Sequence, residues 1–403
     1  MKKSLSLILN FRMLTGLLLS FGLSSPLLSQ EQVSVADSLR PRITHRLGVD
    51  LRTGYVAPTE TFFEDDNLAG KPIRTALSAH LKYAFRFAPH TRLGKLYPHA
   101  YQGIGVAYNT FFNAREVGNP LAVYVFQGSR MASLSRRLSL DYEWNFGASF
   151  GWKPHDEETN PKNTVVGSRI NAYINLGVFF NWQLSSSWNL TAGIDLTHYS
   201  NGNTRYPNGG VNTMEARLGV VRSWGEEEQT EGGEPASVFR PHWSYDVLLY
   251  GAARTRGLDW EGSSYLLPGK FGIIGLNVAP MYHFTKNLAA GISLDGRWDE
   301  GGNLKEHLAG IGPGDDIKFY RPPFREQIVV GLSARGEWTM PVFSVNVGVG
   351  YNCYRHGDDA KGLYQVLALK AFFTRSIFLH VGYQLQDFHD PNNLMLGIGY
   401  RFH

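Results

Sequence analysis

The sequence predicts an all-β chain, a transmembrane antiparallel β-barrel of roughly sixteen strands (range 12–16), behind an N-terminal signal peptide. Three observations predict it. Period-two alternation of apolar and polar residues recurs from about residue 44 to the end, and helical periodicity is nearly absent. Beyond the N-terminal segment there is no apolar run of about 18 residues, so no spanning helix is expected. Very short connections alternate with long polar ones, as in barrels with periplasmic turns and extracellular loops.

The N-terminal segment carries Lys2 and Lys3, then an apolar run from Leu5 through Leu28. This assigns residues 1–30 to a secretory signal, with a cut near Ser29-Gln30-Glu31. No cysteine lies there, which argues against a lipid anchor. Residues 31–403 read as one barrel domain, because one pattern runs throughout without a linker-like break. Strands are expected near 44–57, 73–88, 101–113, 119–128, 135–152, 165–183, 187–200 and 211–223. A second set falls near 241–257, 270–285, 288–298, 325–338, 341–354, 362–374, 377–388 and 392–403. Short turns are Leu184-Ser185-Ser186, Thr285-Lys286-Asn287, Thr339-Met340 and Arg375-Ser376; long loops are 153–164, 258–269, 299–324 and 355–361. Two connections break the rule: 89–100, and the acidic stretch 224–240, expected to be solvated and disordered. The last strand alternates Leu394, Leu396, Ile398, Tyr400 and Phe402 with Met395, Gly397, Gly399 and Arg401. That resembles the signal read by barrel-assembly machinery, with His403 after the Phe as a small departure.

Composition agrees. A mean hydropathy of −0.22 is what lipid-facing and lumen-facing residues give when they cancel. Aromatics at 13% suit interfacial girdles, and 44 glycines suit tight turns and close strands. The lone Cys353 excludes internal disulfides and cysteine-rich metal sites. A formal charge of +4, scattered along the chain, gives no nucleic-acid surface.

One stretch carries chemistry: His198-Tyr199-Ser200-Asn201-Gly202, where an alternating strand enters a polar loop. Residues two apart on a strand share a face, so His198 and Ser200 continue the apolar row Ala192, Ile194 and Leu196. In a membrane barrel that row faces lipid. An imidazole beside a hydroxyl is what a base-activated nucleophile needs. With a periplasmic N-terminus, the seventh strand ends outside, beside the outer leaflet. A lone His-x-Ser on a strand is usually incidental, and the Asn-Gly and Pro-Asn-Gly-Gly steps alone are turn chemistry. The combination, with a downstream polar residue in register, favours catalysis.

The stretch from His198 through Pro207-Asn208-Gly209-Gly210 to Asn212 resembles the outer-membrane lipid A 3-O-deacylase family, including proteins called acyloxyacyl hydrolases. Those carry His-x-Ser-Asn followed by a Pro-Asn-x-Gly turn. It is also similar to outer-membrane phospholipase A, which carries His-x-Ser-Asn-Gly. The resemblance implies a serine esterase of the cell outer membrane of a Gram-negative bacterium, hydrolysing an acyl ester of lipid A, with lipopolysaccharide acyl chains as its partner. By the same resemblance Ser200 is the nucleophile, His198 the general base, and Asn201 with the following Gly202 backbone the oxyanion support. Both families place an orienting residue (Glu in the deacylase, Asn in the phospholipase) about twelve residues after the Ser, which lands on Asn212. Asn212 shares the apolar face of its strand; Glu215, the nearest acid, falls on the opposite face unless a bulge re-aims it. Asn212 is preferred. No cofactor or metal is expected. Calcium, and activity as a homodimer, would accompany the phospholipase alternative; a non-catalytic porin or transport barrel is the other.

Weaker signals are set aside. Gly147-Ala148-Ser149-Phe150-Gly151 matches the nucleophile elbow, but inside a strand it reads as packing. His389-Asp390-Pro391-Asn392-Asn393 echoes the active loop and reads as a turn. Lys305, Lys318, Arg321 and Arg325 could meet lipid A phosphates but suit a solvated loop equally, and Asp315-Asp316 is too generic a pair for calcium.

Overall fold

The computed structural model describes residues 43–202, 204–225, 239–260, 263–312, 316–388 and 390–403. Eight antiparallel strands form a first closed ring: β1 (Ile43–Ala57), β2 (Thr75–Phe87), β3 (Tyr101–Thr110), β4 (Gly118–Ser133), β5 (Leu138–Trp152), β6 (Ile170–Gln183), β7 (Trp188–Ser200) and β8 (Val211–Trp224). β8 returns to β1, with Val220 opposite Val49. A second ring of eight comprises β9 (His242–Arg254), β12 (Phe271–His283), β13 (Leu288–Asp299), β16 (Ile328–Thr339), β17 (Phe343–Tyr354), β18 (Leu363–Phe372), β19 (Ile377–Gln386) and β20 (Asp390–Phe402). It closes where β20 meets β9, Ile398 opposite Leu249. Two hairpins decorate its loops: β10 (Gly257–Trp260) with β11 (Ser263–Leu266), and β14 (Leu308–Gly312) with β15 (Asp316–Phe319).

The sixteen barrel strands and their limits agree with the periodicity. Their closure differs from the single ring drawn over 31–403: they make two rings of eight, each returning to its own first strand. The signal segment and most of the acidic stretch, 226–238, lie outside the described residues.

Alternation decides what each face meets. On β1, Leu47, Val49 and Leu51 point outward and are 43%, 52% and 58% exposed, whereas Arg46, Asp50 and Arg52 point into the lumen and are buried. Such an apolar exterior, repeated on strand after strand, suits hydrocarbon rather than water. An eight-stranded ring has an interior that side chains just fill. In the first lumen, Arg52 and Arg217 both donate to Asp195, at 2.9 and 2.7 Å. Lys82 bridges Asp50 at 2.6 Å and Glu143 at 3.0 Å. In the second, Lys370 and Arg401 hold Asp246 and Glu337 at 2.5–2.7 Å. Charges so deeply buried persist only when matched, and here they are matched within each ring. One cavity among the lining side chains holds about 20 Å³ in the first lumen and another about 10 Å³ in the second, each about the size of one water.

The rings pack through outward faces. On β4 and β5, Gln127 and Trp144 point away from the lumen yet are 1% and 9% exposed; Met340 and Phe343 of the second ring pack on Trp144, which in turn holds Gln127. Trp144 meets Phe343 edge-on at 5.1 Å between centroids and donates its indole N–H to Gln127 Oε1 at 2.8 Å. At the short-turn end, the 89–100 connection contains a short helix, α1 (Arg92–Leu96), capped by Thr91, whose Oγ1 accepts from the Gly94 N–H. Just after it, the Tyr97 hydroxyl donates to Lys286 O in the β12–β13 turn at 2.7 Å.

Candidate active site

Alternation carries β7 outward to its end. Ile194 and Leu196 are 58% and 53% exposed, and His198 and Ser200 continue their row, half-buried. The intervening Asp195, Thr197 and Tyr199 fill the lumen. Tyr199 anchors the strand end: its hydroxyl donates to Asn109 Oδ1 at 2.9 Å, and its ring lies among Trp152, Tyr173 and Phe111.

Register sets the partner of the imidazole. β7 and β8 place His198 directly opposite Asn212, and His198 Nδ1 lies 2.6 Å from Asn212 Oδ1. An amide oxygen only accepts, so Nδ1 carries the proton and Nε2 is left as the basic nitrogen. On the other flank, Ala172 and Ile174 of β6 oppose Ser200 and His198. Among the described residues Ser200 Oγ makes no hydrogen bond to the ring, the loose arrangement frequent before a substrate is bound.

Glu215, the alternative to Asn212, does not reach the imidazole. It points into the lumen, 4% exposed, and accepts from Ser78 Oγ, Thr197 Oγ1 and Thr213 Oγ1. β7 and β8 pair without a bulge through this stretch, so nothing turns it outward. Asn201 also differs from expectation. Its side-chain amide donates inward to Arg205 O at 2.7 Å and its N–H to Asn208 Oδ1 at 2.9 Å, so it ties the loop and is not free to meet an oxyanion. Gly202 follows with φ +61°, in the left-handed region.

The 201–210 loop is fastened to its neighbours. The N–H groups of Gly209 and Gly210 donate to Thr164 O and Val165 O, and Thr59 Oγ1 donates to Gly210 O at 2.9 Å. Gly210, at φ +73°, lies so close to the pair that a Cβ there would stand 3.3 Å from His198 Cε1 and 3.1 Å from Tyr199 O. Sequence reasoning took this Gly as turn chemistry; its contact with the imidazole had no signal in spacing.

The weaker motifs fall elsewhere. Ser149 is wholly buried within β5, accepting from Trp152 Nε1 and donating to Asn171 O, which makes it packing. His389 and Asp315 lie outside the described residues. Arg321 pairs with Glu300, and Arg325 approaches Glu326 at 3.9 Å. No cluster of three or more His, Cys, Asp or Glu among the described residues is arranged to hold a metal ion.

Residues 78–221 match the family described as lipid A 3-O-deacylase (PagL), and residues 243–403 match the acyloxyacyl hydrolase C-terminal domain. The first ring is thus similar to the lipid A 3-O-deacylase family and the second to the acyloxyacyl hydrolase C-terminal domain. Each match spans most of one ring. The protein is accordingly a Gram-negative outer-membrane β-barrel, and both matched families are named for hydrolysis of lipid A acyl groups. No curated protein matches it. Among solved structures, Neisserial surface protein A (NspA) is similar at 9% identity and a TM-score of 0.31, covering 45% of this chain and 97% of that one. The outer membrane protein Omp33 of Acinetobacter baumannii is similar at 9% identity and a TM-score of 0.17, covering 90% of this chain and 100% of that one.

Proposed function

We propose that the protein is a serine esterase that removes a fatty acyl chain from lipid A at the outer leaflet, with Ser200, His198 and Asn212 as its machinery. The observation carrying this reading is the 2.6 Å contact between His198 Nδ1 and Asn212 Oδ1 on the lipid-facing side, one residue from Ser200 along that face. Ser200 Oγ attacks the ester carbonyl while Nε2 of His198 takes its proton. The Gly202 N–H is the donor assigned to the developing oxyanion, a contribution typically worth about a hundredfold in rate. Collapse of the tetrahedral intermediate releases the sugar alkoxide, which takes the proton back from Nε2. Water, deprotonated by the same nitrogen, then hydrolyses the acyl-enzyme, and the fatty acid leaves into the membrane. Asn212 accepts from Nδ1–H throughout and keeps the ring in the tautomer the reaction needs.

One feature favours a second reading. An Asn in the orienting position is the residue type of the phospholipase resemblance, so hydrolysis of a glycerophospholipid is the alternative chemistry for the same pair. The buried ion pairs that fill both lumens weigh against a conducting channel.

Expression of the wild type and Ser200→Ala in a deacylase-free Gram-negative host, with mass spectrometry of lipid A and phospholipids, tests both. Loss of one acyl mass from lipid A in the wild type, reduced at least about a thousandfold in Ser200→Ala, is the expected result. Lysophospholipid instead would establish the phospholipase; no Ser200-dependent change with folded barrels would overturn both.

A further inference from the structure

Gly202, the residue where β7's loop leaves the catalytic pair, touches the other ring. A Cβ on it would lie 3.4 Å from Tyr383 Cε2 and 3.7 Å from Leu394 Cδ1. Tyr383 is on β19 and Leu394 on β20; both point outward from the second lumen and both are half-buried. The next outward residues down β20, Leu396 and Ile398, are 47% and 62% exposed. On the first ring, the row beginning with Ala172 beside Ser200 continues through Ile174, Leu176 and Val178, which are 37%, 53% and 41% exposed. Two apolar strand faces from different rings thus meet at the loop that carries Gly202, and open below it. The spacing is held by contacts away from the site: Trp144 on Phe343, and Tyr97 on the β12–β13 turn.

We infer that the second barrel supplies one wall of the substrate crevice, with Tyr383 and Leu394 holding the acyl chain whose ester Ser200 attacks and setting the chain length accepted. The inference rests on the esterase reading above. The occupant follows from the geometry. An ester at Ser200 sits at the outer end of the strands, and the chain attached to it must run inward along them. From Ser200 to Ile194 the strand descends about 20 Å, enough to span the hydrocarbon of one leaflet, roughly 15 Å. The outward residues along that path on β6 and β20 are apolar, so a hydrocarbon chain meets no unpaired polar group. A ring that carries no His-x-Ser of its own at the matching end of β19 (Gln384-Leu385-Gln386) thereby acquires a part in the reaction.

The test uses the full-length protein in detergent or vesicles and lipid A preparations that differ only in the length of the ester-linked chain. Folding is checked by heat-modifiable migration on gels. Leu394→Trp narrows the wall and is expected to shift the long-to-short kcat/KM ratio at least tenfold towards short chains. Tyr383→Ala widens it and should relax the same ratio, and Tyr383→Phe should keep the wild-type ratio. If Leu394→Trp fails to fold, Tyr383→Ala, a truncation that adds no atoms, carries the test. Unchanged ratios in folded variants, with Ser200→Ala inactive, would overturn the wall while leaving the esterase standing. Activity retained in Ser200→Ala would remove the reading beneath it and the wall with it.

Discussion

His198 Nδ1 and Asn212 Oδ1 meet at 2.6 Å across directly paired strands, so an amide rather than a carboxylate orients the imidazole. A neutral acceptor fixes the tautomer but gives the imidazolium less compensation than an ionised one. Asn212→Ala leaves the ring free to turn and its Nδ1–H without a partner. A loss in kcat with little change in KM is expected, at most about the 10⁴-fold that follows loss of an orienting carboxylate. Asn212→Asp keeps an acceptor oxygen and should retain more activity than the Ala variant. Steady-state kinetics on lipid A separates them; equal activity of Asn212→Ala and wild type would remove Asn212 from the site.

Glu215 makes the opposite prediction, because it lies on the lumen side and accepts from Ser78, Thr197 and Thr213. Glu215→Ala should change kcat/KM by less than about threefold. Leaving those hydroxyls short of an acceptor should cost about 1–3 kcal/mol in urea unfolding of the barrel. A kinetic loss as large as that of Asn212→Ala, without a stability change, would reverse the two residues' roles.

Above the second ring, Asp359 clasps Arg256 and accepts from the Asn303 N–H. Burial pushes its carboxyl up, but the adjacent guanidinium outweighs this and holds it below the ordinary carboxylate range. A carboxyl with a depressed folded-state value contributes stability above its unfolded value, about 3.9, and loses it as pH falls towards the lower folded value. The 355–361 loop should therefore become protease-sensitive in acid below about pH 4 while the strands stay folded. Asp359→Asn should show the same sensitivity at neutral pH; identical digestion of wild type at pH 7 and pH 3 would contradict it.

Much of this was legible in sequence, for a reason that also explains what was not. Strand limits follow from period two, which is local, so Leu47, Val49 and Leu51 announce their face without knowledge of any partner. Closure is not local. Nothing in the alternation of β8 says that Val220 turns back to Val49 instead of forward to another strand. Yet the two connections that broke the loop rule both concern the division between rings. The stretch at 224–240 is the covalent link, and the one at 89–100 delivers Tyr97 to the second ring. Within the site, counting twelve residues on from Ser200, as the family resemblance implies, reached Asn212, and the β7–β8 register is what sets it opposite His198. The same counting could not see that the Asn201 amide turns back to Arg205, because loop hydrogen bonds have no period.

Gly210 gives the most direct probe of how tightly the loop sets the imidazole. Its φ of +73° already disfavours any side chain, and a left-handed residue with a Cβ costs roughly 1–2 kcal/mol. Here the Cβ would also meet Tyr199 O at 3.1 Å and His198 Cε1 at 3.3 Å. Those neighbours can yield by a few tenths of an ångström only if the ring moves relative to Asn212 or the loop lifts from Val165. Either displacement takes Nε2 away from Ser200, and small misplacements of a catalytic group can cost up to about 10²-fold in rate. Gly210→Ala is therefore expected to lower kcat about ten- to a hundredfold in a protein that still migrates as a folded barrel. Gly209→Ala, one residue earlier, meets a flexible Glu60 side chain at 2.7 Å instead and lies away from the pair. It should fall less. A Gly210→Ala enzyme with wild-type kcat would mean that the loop is soft enough to absorb the methyl group, and that Asn212 alone holds His198 in place.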